Sequence, residues 1–126
     1  MGFWLYMLFI SLLVPLTTIG LGMLFMNKAP GNINYFFGYR TRRSMKNITT
    51  WNFAHRYCGR IWFLCGIITA PVSIIIMIFM LGKDIELIGT TVGIITIAHI
   101  FLLILTVILT ERKLKQTFDD YGRRRG

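Results

Sequence analysis

The stretch IWFLCGIITAPVSIIIMIFMLG, residues Ile61–Gly82, decides the fold because its 22 residues include no charge. Two further uncharged runs, Met1–Met26 and Leu87–Thr110, share this property. A bilayer core about 30 Å thick takes roughly 20 apolar residues in a helix. Only helices and closed barrels satisfy their backbone groups in lipid, and these runs lack the alternation of a strand. We therefore predict an all-α membrane protein with three transmembrane helices.

The composition and the length leave no room for a separate soluble domain. Hydrophobic residues make up 55% of the 126 residues, against about 45–50% in soluble proteins. The polar stretch 27–60 has too few aliphatic residues to build a core of its own. We predict one domain over 1–126, in the order first helix about 3–26, cytoplasmic loop and interfacial helix 27–58, second helix about 59–81, third helix about 85–110, and cytoplasmic tail 111–126.

The placement of the basic residues predicts the orientation. The net charge is +9, and stretch 27–60 carries seven Lys and Arg residues without an acid. Lys and Arg near helix ends mark the cytoplasmic side, so we expect the first loop and the tail inside. The N-terminus and the turn 83–86 are then outside. Cations in such places are topology determinants and contacts for anionic lipids, so we expect membrane lipids as partners and no direct binding of nucleic acid.

The segment before the second helix predicts a basic amphipathic helix at the membrane surface. Thr41 or Ser44 is a suitable N-cap. From about Ser44 to Gly59, apolar side chains such as Trp51 alternate with basic and polar ones. This pattern is typical of an interfacial helix that leads into a transmembrane span, with Trp51 as its anchor.

Few residues suggest catalysis or metal binding. The five acids all lie beyond Lys83, and His55 and His99 have no metal-binding frame. Cys58 and Cys65 lie too far apart along a helix for a disulfide. We therefore predict no catalytic residue, no cofactor and no metal. His99 is the exception to weigh, since an ionisable group inside a membrane is costly. It has two interpretations, hydrogen-bonded packing or a role with a ligand or proton.

A distinctive set of residues surrounds the first loop and closes the last helix: Asn34, Gly38, Tyr39, Arg40, Thr41, Ser44, Asn47, Trp51, Ala54, Arg56, Gly59, Thr110, Glu111, Leu114 and Phe118. This set resembles the pattern of the SdpI family of bacterial membrane proteins. The resemblance covers roughly residues 20–118 and implies a bacterial cell membrane location. The best-known member is an immunity protein that protects a sporulating cell from a secreted killing peptide and holds a transcriptional repressor at the membrane.

The Gly-Tyr-Arg-Thr box, residues 38–41, has two interpretations. In the first it is structural, folding the loop onto the bundle through an ion pair between Glu111 and Arg40 or another loop arginine. In the second, Arg40 presents its five donors to a lipid headgroup, a peptide or a protein partner. In both, Gly38 permits a turn with positive φ.

Three functions follow as hypotheses. The first is a non-enzymatic SdpI-type protein that gives tolerance to a membrane-active peptide toxin, with a signalling role through a repressor. The second is a homo-oligomeric transporter or channel subunit, lined by polar side chains of the third helix: Thr90, Thr91, Thr96, His99 and Thr106. The third is a lipid-headgroup-modifying enzyme, for which His55 is the base nearest the box.

Overall fold

The chain forms three long helices joined by one long and one short connection. The computed structural model describes residues 2–28, 31, 33 and 38–125, and the helices are α1 (Gly2–Asn27), α2 (Ile48–Phe79) and α3 (Ile85–Thr117). Each is long and apolar enough to cross a membrane. The predicted all-helical class is confirmed, with three helices that could span a membrane. Asn34 lies outside the described residues.

The second helix begins earlier than predicted. The sequence suggested a separate interfacial helix up to 58 and a second helix from about 59, but α2 is continuous from Ile48. Its N-cap is Asn47, not Thr41 or Ser44. Asn47 Oδ1 accepts the Thr50 N–H at 2.9 Å, and Thr50 Oγ1 accepts the Asn47 N–H at 3.1 Å. This capping box starts the helix, and nothing breaks it at Gly59.

The third helix also runs further than predicted. Asp84 caps its start by accepting the Leu87 N–H at 2.8 Å, close to the predicted boundary of 85. Its end at Thr117 lies two turns beyond the predicted 110. Residues 111–116 are mainly Glu, Arg, Lys, Leu and Gln, which all have high helix propensity. The helix therefore continues past the apolar run.

Close packing of α1 against α2 depends on small residues. A Cβ added to Gly59 would lie 2.6 Å from a backbone nitrogen of α1, and one added to Gly22 would lie 2.6 Å from a backbone nitrogen of α2. Gly66 contacts α1 in the same way. A Cβ added to Gly89 or Gly93 of α3 would meet nothing within 4 Å, so these two glycines do not pack against another helix. The close approach of α1 and α2 therefore depends on Gly22, Gly59 and Gly66.

The distribution of polar and apolar side chains suits lipid. Buried polar residues lie along the bundle interior, among them Ser11, Thr18, Ser73, His99, Thr106 and Thr110. Large apolar side chains face outward, with Phe79 72% and Phe101 68% exposed. In water such contiguous apolar surface would drive aggregation. The three helices therefore form a multi-pass membrane bundle.

Candidate functional site

Tyr39 connects the first loop to both α2 and α3. Its backbone N–H donates to His55 Nε2 at 2.8 Å. Its hydroxyl donates to Glu111 Oε1 at 2.7 Å. The side chain is 6% exposed and packs in a cluster with Ala54, Cys58, Leu114 and Phe118. Burial and the neighbouring Glu111 carboxylate raise the pKa of Tyr39, so the hydroxyl keeps its proton.

His55, which is buried in the bundle, accepts the hydrogen bond from the first loop. A backbone amide can only donate, so Nε2 is the accepting nitrogen and Nδ1 carries the hydrogen. That hydrogen points to the Trp51 carbonyl oxygen, 2.7 Å from Nδ1. The ring packs at 4.3 Å from Trp51 and edge-on at 4.9 Å from Phe25. His55 is therefore neutral, and both of its ring nitrogens are hydrogen-bonded. The sequence analysis did not predict this role.

A tight turn fixes the rest of the box. Ser44 Oγ donates to the Tyr39 carbonyl at 2.9 Å and accepts the Thr41 N–H at 2.9 Å. Thr50 Oγ1 in turn donates to the Ser44 carbonyl at 3.0 Å. Gly38 has φ 110°, which confirms the predicted positive φ. The loop backbone is thereby tied to the first turn of α2.

The tail folds back against the same turn. Asn47 Nδ2 donates to the Gly122 carbonyl at 2.8 Å. Asp119 Oδ1 accepts the N–H groups of Tyr121 and Arg123, each at 2.9 Å. Hydrogen bonds from the Arg123 and Tyr121 backbones lower the pKa of Asp119. The sequence analysis treated the tail only as charge, but Asp119 followed by Gly122 is a turn signal that predicts this fold.

The predicted site residues divide into two groups. Tyr39, Thr41, Ser44, Asn47, Trp51 and Glu111 come together at one end of the bundle, as described above. Arg40 is exposed there, and Arg56 is exposed on another face of α2. Glu111 accepts a hydrogen bond from the Tyr39 hydroxyl, and its ion pair with a loop arginine stays a prediction. His99 lies apart from the box, inside the bundle beside a cavity of about 10 Å³.

A cavity of about 400 Å³ opens between the segment that follows the box, the first turn of α2, α3 and the tail. Its charges have both signs, and Arg43 pairs with Asp120 at 3.5 Å. Such a cavity suits a ligand with charged and apolar parts. Within the part of the chain that the structure describes, no cluster of three His, Cys, Asp or Glu could hold a metal. The lining residues are Arg42, Arg43, Lys46, Thr50, Glu111, Leu114, Phe118, Asp119 and Asp120.

These features define a class, a three-helix membrane bundle whose first loop is hydrogen-bonded into one end. The chain belongs to the SdpI/YfhL protein family, whose sequence model matches residues 31–110. It is 34% identical over 106 residues to the uncharacterized protein YfhL of Bacillus subtilis (strain 168), covering 83% of this chain and 86% of that protein. No solved structure matches the chain.

Proposed function

We propose that this chain is a non-enzymatic membrane protein that gives its cell tolerance to a secreted membrane-active peptide. The observation that carries the proposal is the mixed-charge cavity at the basic end of the bundle, which is lined by Glu111, the residue that accepts the Tyr39 hydroxyl. A peptide lying at a membrane surface presents charged and apolar side chains at the same depth. The cavity offers Arg42 and Lys46 beside Leu114 and Phe118 to such a ligand.

We propose further that this end of the bundle faces the cytoplasm. All of the 14 Lys and Arg residues except Lys83 belong to it, on the loop, the first turns of α2, the last turns of α3 and the tail. The opposite turn carries Lys83 with Asp84 and Glu86. The positive-inside rule favours this orientation in a bacterial cell membrane. A transcriptional repressor would meet the same end.

Specific observations weigh against the two other hypotheses. Both ring nitrogens of His55 are engaged with backbone groups, so it is not placed to act as the base of a lipid-modifying enzyme. The polar residues proposed to line a pore do not share one face of α3. His99 and Thr106 are buried within the bundle, whereas Thr90 is exposed. Neither observation favours an enzyme or a channel subunit.

Survival of a sensitive bacterial host tests the proposal. The host expresses the chain and receives graded doses of the secreted killing peptide to which the best-known family member gives immunity. We expect wild-type protein to raise the tolerated dose and Arg40→Ala with Arg42→Ala to abolish the gain. Arg112→Ala, an exposed position on α3 outside the cavity, is the matched control. No protection by the wild type at confirmed expression would refute the proposal.

A further inference from the structure

A second cavity of about 400 Å³ lies on another face of α2. It carries three guanidinium groups, from Arg56, Arg60 and Arg124, and no acidic side chain lines it. The remaining lining residues are Thr49, Asn52, Phe53 and Tyr57. The first cavity is lined by three basic and three acidic residues, so the two cavities suit different ligands. Uncompensated arginines in one concave site predict an anionic ligand.

The three arginines come from two elements that are held together. Arg56 and Arg60 are four residues apart on α2 and therefore project from one face. Arg124 belongs to the tail, where Phe118 and Arg124 form an isolated β-bridge. Its guanidinium lies 5.4 Å from the Phe118 ring centre, and Phe118 packs edge-on against Phe53 at 5.3 Å. The folded tail thus delivers the third positive group to the cavity.

The cavity lies at a defined depth in the membrane. Arg60 is the last charge before the uncharged run of 22 residues that begins at Ile61. This boundary is where α2 passes from headgroups into hydrocarbon. Phosphates of phospholipids lie at the same level, and arginine forks match their oxygens in bidentate geometry. The Phe53 and Tyr57 rings, parallel within 4° at 6.2 Å, add the aromatic character typical of an interface.

We propose that this cavity binds the phosphate-bearing headgroup of an anionic phospholipid from the adjoining leaflet. Arg56, Arg60 and Arg124 contact the phosphate oxygens. Thr49 and Asn52 supply hydroxyl and amide groups for the polar remainder of a headgroup such as phosphoglycerol. A bound lipid would join the tail to α2. The proposal does not depend on which side of the membrane this end faces.

Native mass spectrometry of the purified full chain tests the site. The protein is titrated with phosphatidylglycerol or with phosphatidylcholine of the same acyl chains, and bound lipid is counted. We expect Arg56→Gln, Arg60→Gln and Arg124→Gln each to weaken phosphatidylglycerol binding about fivefold. Arg112→Gln removes the same charge from an exposed α3 position outside the cavity and should leave binding unchanged. Thermal unfolding of each variant checks that the fold is intact.

Three results would overturn the assignment. Equal weakening by Arg112→Gln would show that only net charge matters. Equal retention of phosphatidylcholine would show that no anionic headgroup is selected. Inorganic phosphate is titrated in a separate arm, and if it displaces phosphatidylglycerol at matching concentrations, the site holds free phosphate and not a lipid.

Discussion

At the scale of the residue, Tyr39 uses its backbone and its side chain for different contacts. The N–H group reaches His55 on α2, and the hydroxyl reaches Glu111 on α3. Neither partner is adjacent to it in sequence, so one residue sets the position of the loop relative to two helices. The structural interpretation of the Gly-Tyr-Arg-Thr box therefore has a physical basis in Tyr39. The functional interpretation, in which Arg40 contacts a headgroup, a peptide or a protein partner, stays a prediction.

Replacing Tyr39 with Phe should destabilise the protein with little change in shape. The variant leaves the partly buried Glu111 carboxylate without its donor, which costs about 2 kcal/mol. Thermal unfolding in detergent micelles measures the effect as a lower Tm. Tyr6→Phe is the control, because Tyr6 is 61% exposed on α1. Equal Tm values for the two variants would show that the Tyr39 hydroxyl does not stabilise the fold.

The same hydroxyl predicts a pH dependence at the alkaline side. The pKa of Tyr39 is raised in the folded state above its ordinary value of 10.0. Its contribution to stability is therefore complete below pH 10 and is lost as the pH rises from there towards the folded-state pKa, at about 1.4 kcal/mol per pH unit. The stability difference between wild type and Tyr39→Phe, measured by unfolding from pH 8 to 11, should shrink above pH 10. A constant difference would contradict the raised pKa.

At the scale of the element, α2 contains in one helix the two segments, interfacial and membrane-spanning, that the sequence analysis assigned to separate helices. Its first turns carry His55 and line part of both cavities, and its later turns form the apolar membrane-spanning part. Because the helix is continuous, its packing on α1 also fixes the angle at which the site is presented. Gly59 lies between these two parts of α2, at the point where the α2 backbone lies close to the α1 backbone.

A methyl group at Gly59 should therefore disturb both packing and site. We expect Gly59→Ala to lower stability by about 1–3 kcal/mol, since the added Cβ meets α1 backbone that has no flexible end to move. Gly93→Ala is the matched control, because its Cβ enters open space and alanine favours the helix by about 0.5–1 kcal/mol. Thermal unfolding of the two variants in the same detergent should give shifts of opposite sign. A Gly59→Ala variant as stable as wild type would contradict the close helix crossing.

At the scale of the whole molecule, charge and apolar surface are arranged along the bundle axis. Charged groups lie at the two ends, and the outward faces between them are apolar. One end is strongly basic, and the other has Lys83 with two acids. This asymmetry makes the orientation in a membrane a property of the entire chain and not of a single segment.

The proposed orientation is tested by labelling of single introduced cysteines in intact cells. Lys83→Cys and Arg42→Cys place a thiol at opposite ends of the bundle, in a background with Cys58 and Cys65 replaced by Ala. A membrane-impermeant maleimide should label Lys83→Cys directly and Arg42→Cys only after the cells are opened, because the proposal places the basic end inside. The reverse pattern would refute a cytoplasmic loop and tail.

The sequence alone determined the class of this protein. Three uncharged runs of 22 to 26 residues have few structural solutions in lipid, because each backbone group must be satisfied within its own segment. The Gly38 turn was also predictable, since its requirement is local. The helix limits were less accurate, because the Asn47 cap and the helix formers after Thr110 extend α2 and α3 beyond their apolar runs.

Only the tertiary structure decided how the site is assembled. In the sequence, His55 was the candidate base nearest the box. In the structure, its Nε2 accepts the N–H of Tyr39, 16 residues away. Glu111 lies 72 residues from Tyr39 in sequence, and only folding brings its carboxylate to the Tyr39 hydroxyl. Arg124 reaches α2 only because the tail turns back. These contacts join residues distant along the chain, and neither periodicity nor local propensity carries information about such pairs.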